Sequence, residues 1–199
     1  MKKKLFLLQT AGTAATLAAA WLLLLVPDST VGYLLLSLVL MYATVFFLSF
    51  TLAAVGGTLV GDHGVAGWRD ALRYGWRGWW RAAAILLAGA GLLYGLYRLG
   101  WLRLPVWFGV LLPALLTIPA VVRGAGPTAR GLPRLLAYAA LGVALGLGAW
   151  KIISTPLQMS RPWMEIGYLG ARVLVSFLVA NLACVLLLAA GASPVRNAN

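Results

Sequence analysis

The sequence predicts an all-α fold, an integral membrane bundle of six transmembrane helices with one interfacial amphipathic helix. Three observations predict it. Of 199 residues, 62% are hydrophobic and only 10% charged, and mean hydropathy is +0.93, whereas a soluble domain carries about a quarter charged residues. The apolar residues fall into six runs of about 20, the length that crosses a hydrocarbon core roughly 30 Å thick. The cations stand mostly between those runs. Such a composition excludes a water-soluble globule, a disordered chain and a disulfide-stapled module.

The first span is expected at 5–26. Met1-Lys2-Lys3-Lys4 ahead of Leu5-Phe6-Leu7-Leu8, with Ala18-Ala19-Ala20 downstream, has the look of a secretory signal. The apolar run continues through Trp21 to Val26, so an uncleaved helix is the better expectation. The second span, 33–60, is long enough to tilt or to extend past the core. The others are expected at 80–97, 105–122, 135–153 and 166–190, paired with their neighbours as three helical hairpins in a single transmembrane domain over 1–199. Gly91 with Gly95, Gly142 with Gly146, and the row Ala11, Ala15, Ala19 are small-residue spacings that let backbones approach in lipid. They read as packing within the chain, with a dimer interface as the other use.

Charge sets orientation. Net charge is +12, from 16 Lys plus Arg against 4 Asp plus Glu. With the N-terminus in the cytoplasm, Lys2, Lys3, Lys4, Arg69, Arg73, Arg77, Arg81, Arg123, Arg130, Arg134 and Arg196 lie inside. Arg98, Arg103, Lys151 and Arg161 lie outside. The excess inside places both termini in the cytoplasm. Cations so placed attract anionic lipid headgroups rather than nucleic acid.

The strongest pattern is the interfacial helix, expected at 65–79. Arg69, Arg73, Arg77 and Arg81 recur every fourth residue and share one arc with Asp70, while Trp68, Ala71, Leu72, Gly75 and Trp79 fill the opposite arc. Trp76 and Trp80 fall at the boundary. A basic amphipathic helix of this kind lies in the interface, where indoles favour the headgroup depth. Four cations, at about 1 kcal/mol each near anionic lipid, hold it down without a partner. Two other readings stand beside this one: the row binds a phosphate-bearing headgroup or an acidic partner, or the segment simply continues the third helix.

Several polar positions in or beside the spans are candidates for more than packing. Arg172 lies about six residues inside the sixth span, where a central charge costs about 2.5–3.5 kcal/mol unless it snorkels. It forms a cavity-mouth cluster with Arg161 and Glu165, or it reaches back to external headgroups. Asn181, deeper in the same helix, is expected to hydrogen-bond across a helix contact. Thr117 lies between Pro113 and Pro119, which kink the fourth span; broken helices line substrate sites in many transporters. Asp62 and His63 are an adjacent acid–imidazole pair in a polar turn, the one candidate for a general base.

Other chemistry lacks its residues. Cys184 and His63 are single, so an intramolecular disulfide, a multidentate Cys/His metal site and a bis-histidine haem are excluded, and no cofactor is expected. No carboxylate sits mid-span, and the nucleophile-elbow and phosphate-loop motifs are missing. The chain is therefore expected not to be an enzyme.

The order of a long second helix, the segment Trp68-Arg69-Asp70-Ala71-Leu72-Arg73, a short third helix and the loop Arg123-Gly124-Ala125-Gly126-Pro127-Thr128-Ala129-Arg130 resembles the YesL-like small polytopic bacterial membrane proteins. The resemblance covers 33–150 and stops short of the sixth helix. It implies a bacterial inner-membrane location and a loose link to transport systems. The residues themselves suggest a non-catalytic subunit or scaffold of a membrane complex, in contact with anionic lipid and with a membrane-protein partner. One alternative is a small transporter or lipid-handling protein using the kinked fourth helix and Arg172. Another is a lipid-modifying enzyme using Asp62 and His63.

Overall fold

The structure, a computed structural model, describes residues 3–27, 30–60, 68–100, 104–124, 132–155 and 162–196. The expected all-helical class holds: among the described residues there are six helices and no strand. They are α1 (Lys3–Leu25), α2 (Val31–Val60), α3 (Trp68–Arg98), α4 (Leu104–Arg123), α5 (Leu132–Ser154) and α6 (Pro162–Arg196). All except α4 are long and apolar enough to cross a membrane; within α4 the corresponding apolar stretch is the shorter Gly109–Arg123.

One expectation is corrected. The basic segment and the third span form one unbroken helix of 31 residues, α3, in place of a separate element at 65–79. The run offers no proline and no helix-ending turn between Trp68 and Arg98, so nothing interrupts the backbone ladder. Both α3 and α4 end on glycines in the left-handed region, Gly100 with φ 72° and Gly124 with φ 68°. The absence of a Cβ makes that conformation accessible. Gly124 N–H closes the last turn of α4 on Val121 O at 3.3 Å.

Helices consecutive in the chain run antiparallel, so α2, α4 and α6 run parallel to one another. Gly12 faces Thr51, Gly56 faces Pro119 and Gly142 faces Leu187; Gln9 reaches Cys184 and Thr13 reaches Asn181. This register gathers the start of α1, the ends of α2, α4 and α6 and the start of α3 at one end of the bundle, here the near end. There α2 is central, in contact with α1, α3, α4 and α6, whereas α5 packs on α6 alone among the described elements. The expected three hairpins are present, α1 with α2, α3 with α4 and α5 with α6; four helices surround α2, and α5 is an appendage of α6.

The core lies towards the near end. Leu52, Ala53 and Val55 of α2, Ala82 of α3, Ile118 of α4, and Val185 and Leu188 of α6 form its centre. The buried positions of α1 are Leu5, Gln9, Thr16 and Ala19, and those of the first half of α3 are Ala71, Gly75, Gly78 and Ala82. Both sets repeat at the three-and-four spacing of a heptad seam. On α3 the inward face takes only part of the apolar arc. Its small residues turn inward, and Trp68, Leu72, Trp76 and Trp80 are exposed. Close approach explains the choice: a Cβ at Gly75 would fall 2.8 Å from Phe50 Cζ, and one at Gly78 would fall 2.7 Å from Val122 Cγ1.

The small-residue pairs divide in the same way. Gly142 packs on Leu187, but nothing lies within 4 Å of a Cβ at Gly91, Gly95 or Gly146. Of the alanine row in α1, only Ala19 is buried.

Candidate functional site

The arginine row of α3 is a slanted line. Each step of four residues advances about 40° around a helix of 3.6 residues per turn, so the row turns about 120° from Arg69 to Arg81. At its start Arg69, Arg73 and Arg77 are exposed, and at its end Arg81 is half-buried. Gly57 packs against Tyr74, which sets Arg69 and Arg73 at or beyond the end of α2. Arg77 lies nearly one turn further in and Arg81 about 10 Å in, at 1.5 Å per residue.

Depth decides what each arginine does. Arg81 Nη1 donates to Val121 O at 3.2 Å and Val122 O at 3.4 Å, the last carbonyls of α4, and its guanidinium lies 5.1 Å from the Trp80 ring centroid. Arg123, the last residue of α4, donates from Nε to Gly57 O at 3.2 Å near the end of α2 and stacks 4.4 Å over Tyr74. The last turn of a helix offers carbonyls without intrahelical partners and a partial negative charge. A guanidinium satisfies both with several donors in one plane.

Arg172 uses the same chemistry at the opposite end. It is 9% exposed. Nε donates to Ile152 O at 2.7 Å, and Nη2 donates to Ile152 O, to Ile153 O at 3.3 Å and to Thr155 O at 2.7 Å. Tyr168 stacks at 5.9 Å. Arg172 thus seals the end of α5 on α6, and neighbouring Ser176 donates to Ala149 O at 3.1 Å. Arg172 turns to the end of α5 and not to external headgroups, and the expected cluster with Glu165 and Arg161 falls partly outside the described residues. Glu165, half-buried at the start of α6, has a partner of its own; Arg161 lies outside the described residues, as do Asp62 and His63.

The remaining candidates separate. Trp79 is half-buried, edge-on to Tyr42 at 6.3 Å and Phe46 at 5.4 Å, and Trp76 meets Phe46 at 6.3 Å. These two indoles join an aromatic cluster on α2. Trp80 lies on the arginine side, above Arg73 and Arg77. Thr117 donates to Ala114 O in its own helix at 3.0 Å. Around Ile118 and Pro119 the packing is apolar, from Leu52, Val55, Val185 and Leu188 with Gly56 against the proline ring.

Asn181 does bond across a helix contact, as expected. Thr13 Oγ1 donates to its Oδ1 at 2.7 Å, and Asn181 Nδ2 donates to Phe177 O at 2.8 Å. Gln9 Nε2 donates to Thr13 Oγ1 at 3.1 Å and contacts Cys184 Sγ at 3.6 Å, which leaves Gln9 Oε1 buried without a partner. The chain of donors ties α1 to α6. Sequence reasoning missed the α1 half of it and the helix-end role of Arg81, Arg123 and Arg172. The signal for the former was present, since Gln9 and Thr13 stand four apart in an otherwise apolar helix.

No family model, no curated protein and no solved structure matches the chain.

Proposed function

We propose that this protein is a non-catalytic multi-pass subunit or scaffold of a membrane complex, resting by its near end on anionic lipid. The observation that carries the reading is where the buried polar groups are spent. Arg172 closes the end of α5, Asn181 and Thr13 bind α6 to α1, and Ser49, Thr16, Thr51 and Thr58 each donate to a carbonyl of their own helix. Polar groups used in this way hold helices together. A carrier would turn them towards a shared cavity, and the prolines of α4 lie instead in apolar packing.

In this reading the near end is cytoplasmic, the membrane is a bacterial inner membrane, and the resemblance to YesL-like proteins belongs to the same proposal. Lys3, Lys4, Arg69, Arg73 and Arg77, all exposed, then face anionic headgroups in agreement with the positive-inside rule. The far-end surfaces of α2, α3 and α5 remain for lipid and for a membrane-protein partner.

Purification from native membranes in mild detergent, followed by mass spectrometry of proteins and lipids together, tests the proposal. A stoichiometric membrane protein with retained anionic lipid is expected. Recovery of the chain alone, with a bound small solute in place of lipid, would favour the transporter reading.

A further inference from the structure

We propose that the exposed strip Arg69, Arg73, Arg77 and Trp80 on the first half of α3 is a headgroup site for anionic glycerophospholipid of the phosphatidylglycerol class, and that Arg81 is not part of it. The inference rests on the lipid-contacting reading above and narrows it to one face of one helix.

Three observations converge on this strip. The four arginines look equivalent in sequence, but Arg81 is occupied by the carbonyls of Val121 and Val122. Arg69, Arg73 and Arg77 are exposed. Asp70, on the same turn, has a partner of its own. Second, the register sets Arg69 and Arg73 at the level of exposed Lys3 and Lys4, where a headgroup layer would meet the bundle, with Arg77 about one turn deeper. Third, Trp80 is 55% exposed on the arginine side, one turn deeper than Arg77. That is the depth of the glycerol and ester region, where an indole keeps its ring apolar and its N–H hydrated. Guanidinium donors fit phosphate oxygens two at a time, and the start of a helix adds partial positive charge. A phosphodiester at Arg73 and Arg77 with its acyl chains running past Trp80 satisfies charge and depth together.

The test uses the full-length protein, delipidated in detergent and offered mixed micelles of phosphatidylglycerol or phosphatidylcholine, with retained lipid counted by native mass spectrometry. The native protein is expected to prefer phosphatidylglycerol, and the preference should fall about fivefold for each arginine removed from the strip. R69Q/R73Q/R77Q should therefore abolish it, R73K/R77K should restore part of it, and W80L should weaken retention of both lipids. R81Q and K3Q/K4Q should leave most of the preference in place, R81Q at a lower melting temperature. A preference that survives in R69Q/R73Q/R77Q overturns the strip while leaving the general lipid reading intact. No preference in the native protein overturns both.

Discussion

The two halves of α2 are both apolar and are treated in opposite ways. From Thr51 to Thr58 every side chain is buried, and from Val31 to Leu36 every one is exposed, with Val31 at 76%. The buried stretch reads Thr-Leu-Ala-Ala-Val-Gly-Gly-Thr, and the exposed one reads Val-Gly-Tyr-Leu-Leu-Leu. Side-chain size separates them in the sense the structure follows; by hydropathy the exposed stretch is the more apolar of the two. Where all surroundings are apolar, expulsion from water no longer sorts inside from outside, and close contact between backbones takes over. The first half of α3 obeys the same rule through Gly75 and Gly78, and α6 through Gly191, whose Cβ would fall 2.8 Å from the carbonyl carbon of Leu116. The far half has bulky residues facing outward, and its main lock among the described residues is Arg172, with Ser176 beside it.

That lock offers the largest way to break the comparison. Arg172→Leu removes several charge-assisted donors from buried carbonyls, and a loss of about 3 kcal/mol is expected. α5 has no other neighbour among the described elements, so limited proteolysis should cut the α5–α6 connection while α1 to α4 stay intact. The thermal midpoint in detergent reads the loss itself.

Next in size is a matched pair on α3. Gly75→Leu drives a side chain into Phe50 and Ala54 and should cost about 2 kcal/mol by overpacking. Gly91→Leu meets open space and should move the midpoint by less than about 0.5 kcal/mol. Equal effects at the two sites would erase the distinction between the halves.

A smaller effect belongs to the α1–α6 seam. Asn181→Leu deletes the acceptor of Thr13 and should cost about 0.6–1.7 kcal/mol, the range found for hydrogen bonds between membrane helices. Measured together with Thr13→Val, the losses should be less than additive, because both changes remove one bond.

The smallest contrast lies within the arginine row. Arg81→Gln gives up its charge at the end of α4 and should cost about 1 kcal/mol. Arg73→Gln, fully outside the packing, should leave the midpoint unchanged. The comparison is sharpest when both variants are melted in the same detergent at low and high salt, because only an exposed cation is strongly screened.

Much of this was legible in the sequence, and what was not has a common physical cause. Run length and cation placement gave the all-helical class and the positions of the helices, because spanning length and charge are local properties. The role of Asn181 was legible too, since an amide in an apolar helix needs a partner. Its partner was not, because Thr13 is distant in the chain and register between helices is not encoded locally. The amphipathic pattern of 65–79 left open which face the bundle covers. An apolar arc with Trp68 and Leu72 looks like a core face by the rule for soluble helices, but α3 buries its smallest residues instead. Arg172 was seen as anomalous without its reason, which is the end of a neighbouring helix.

A tryptophan scan along α2, read by the yield of monodisperse protein and its melting temperature in detergent, tests the division most directly. Substitutions at Leu34, Leu35, Leu36, Val39 and Met41 should be tolerated on every face, and those at Ala53, Ala54, Val55 and Gly56 should each destabilise or abolish the fold. A helical period of intolerance running unbroken from Leu34 to Gly56 would mean that the far half is packed as tightly as the near one, and would contradict this account.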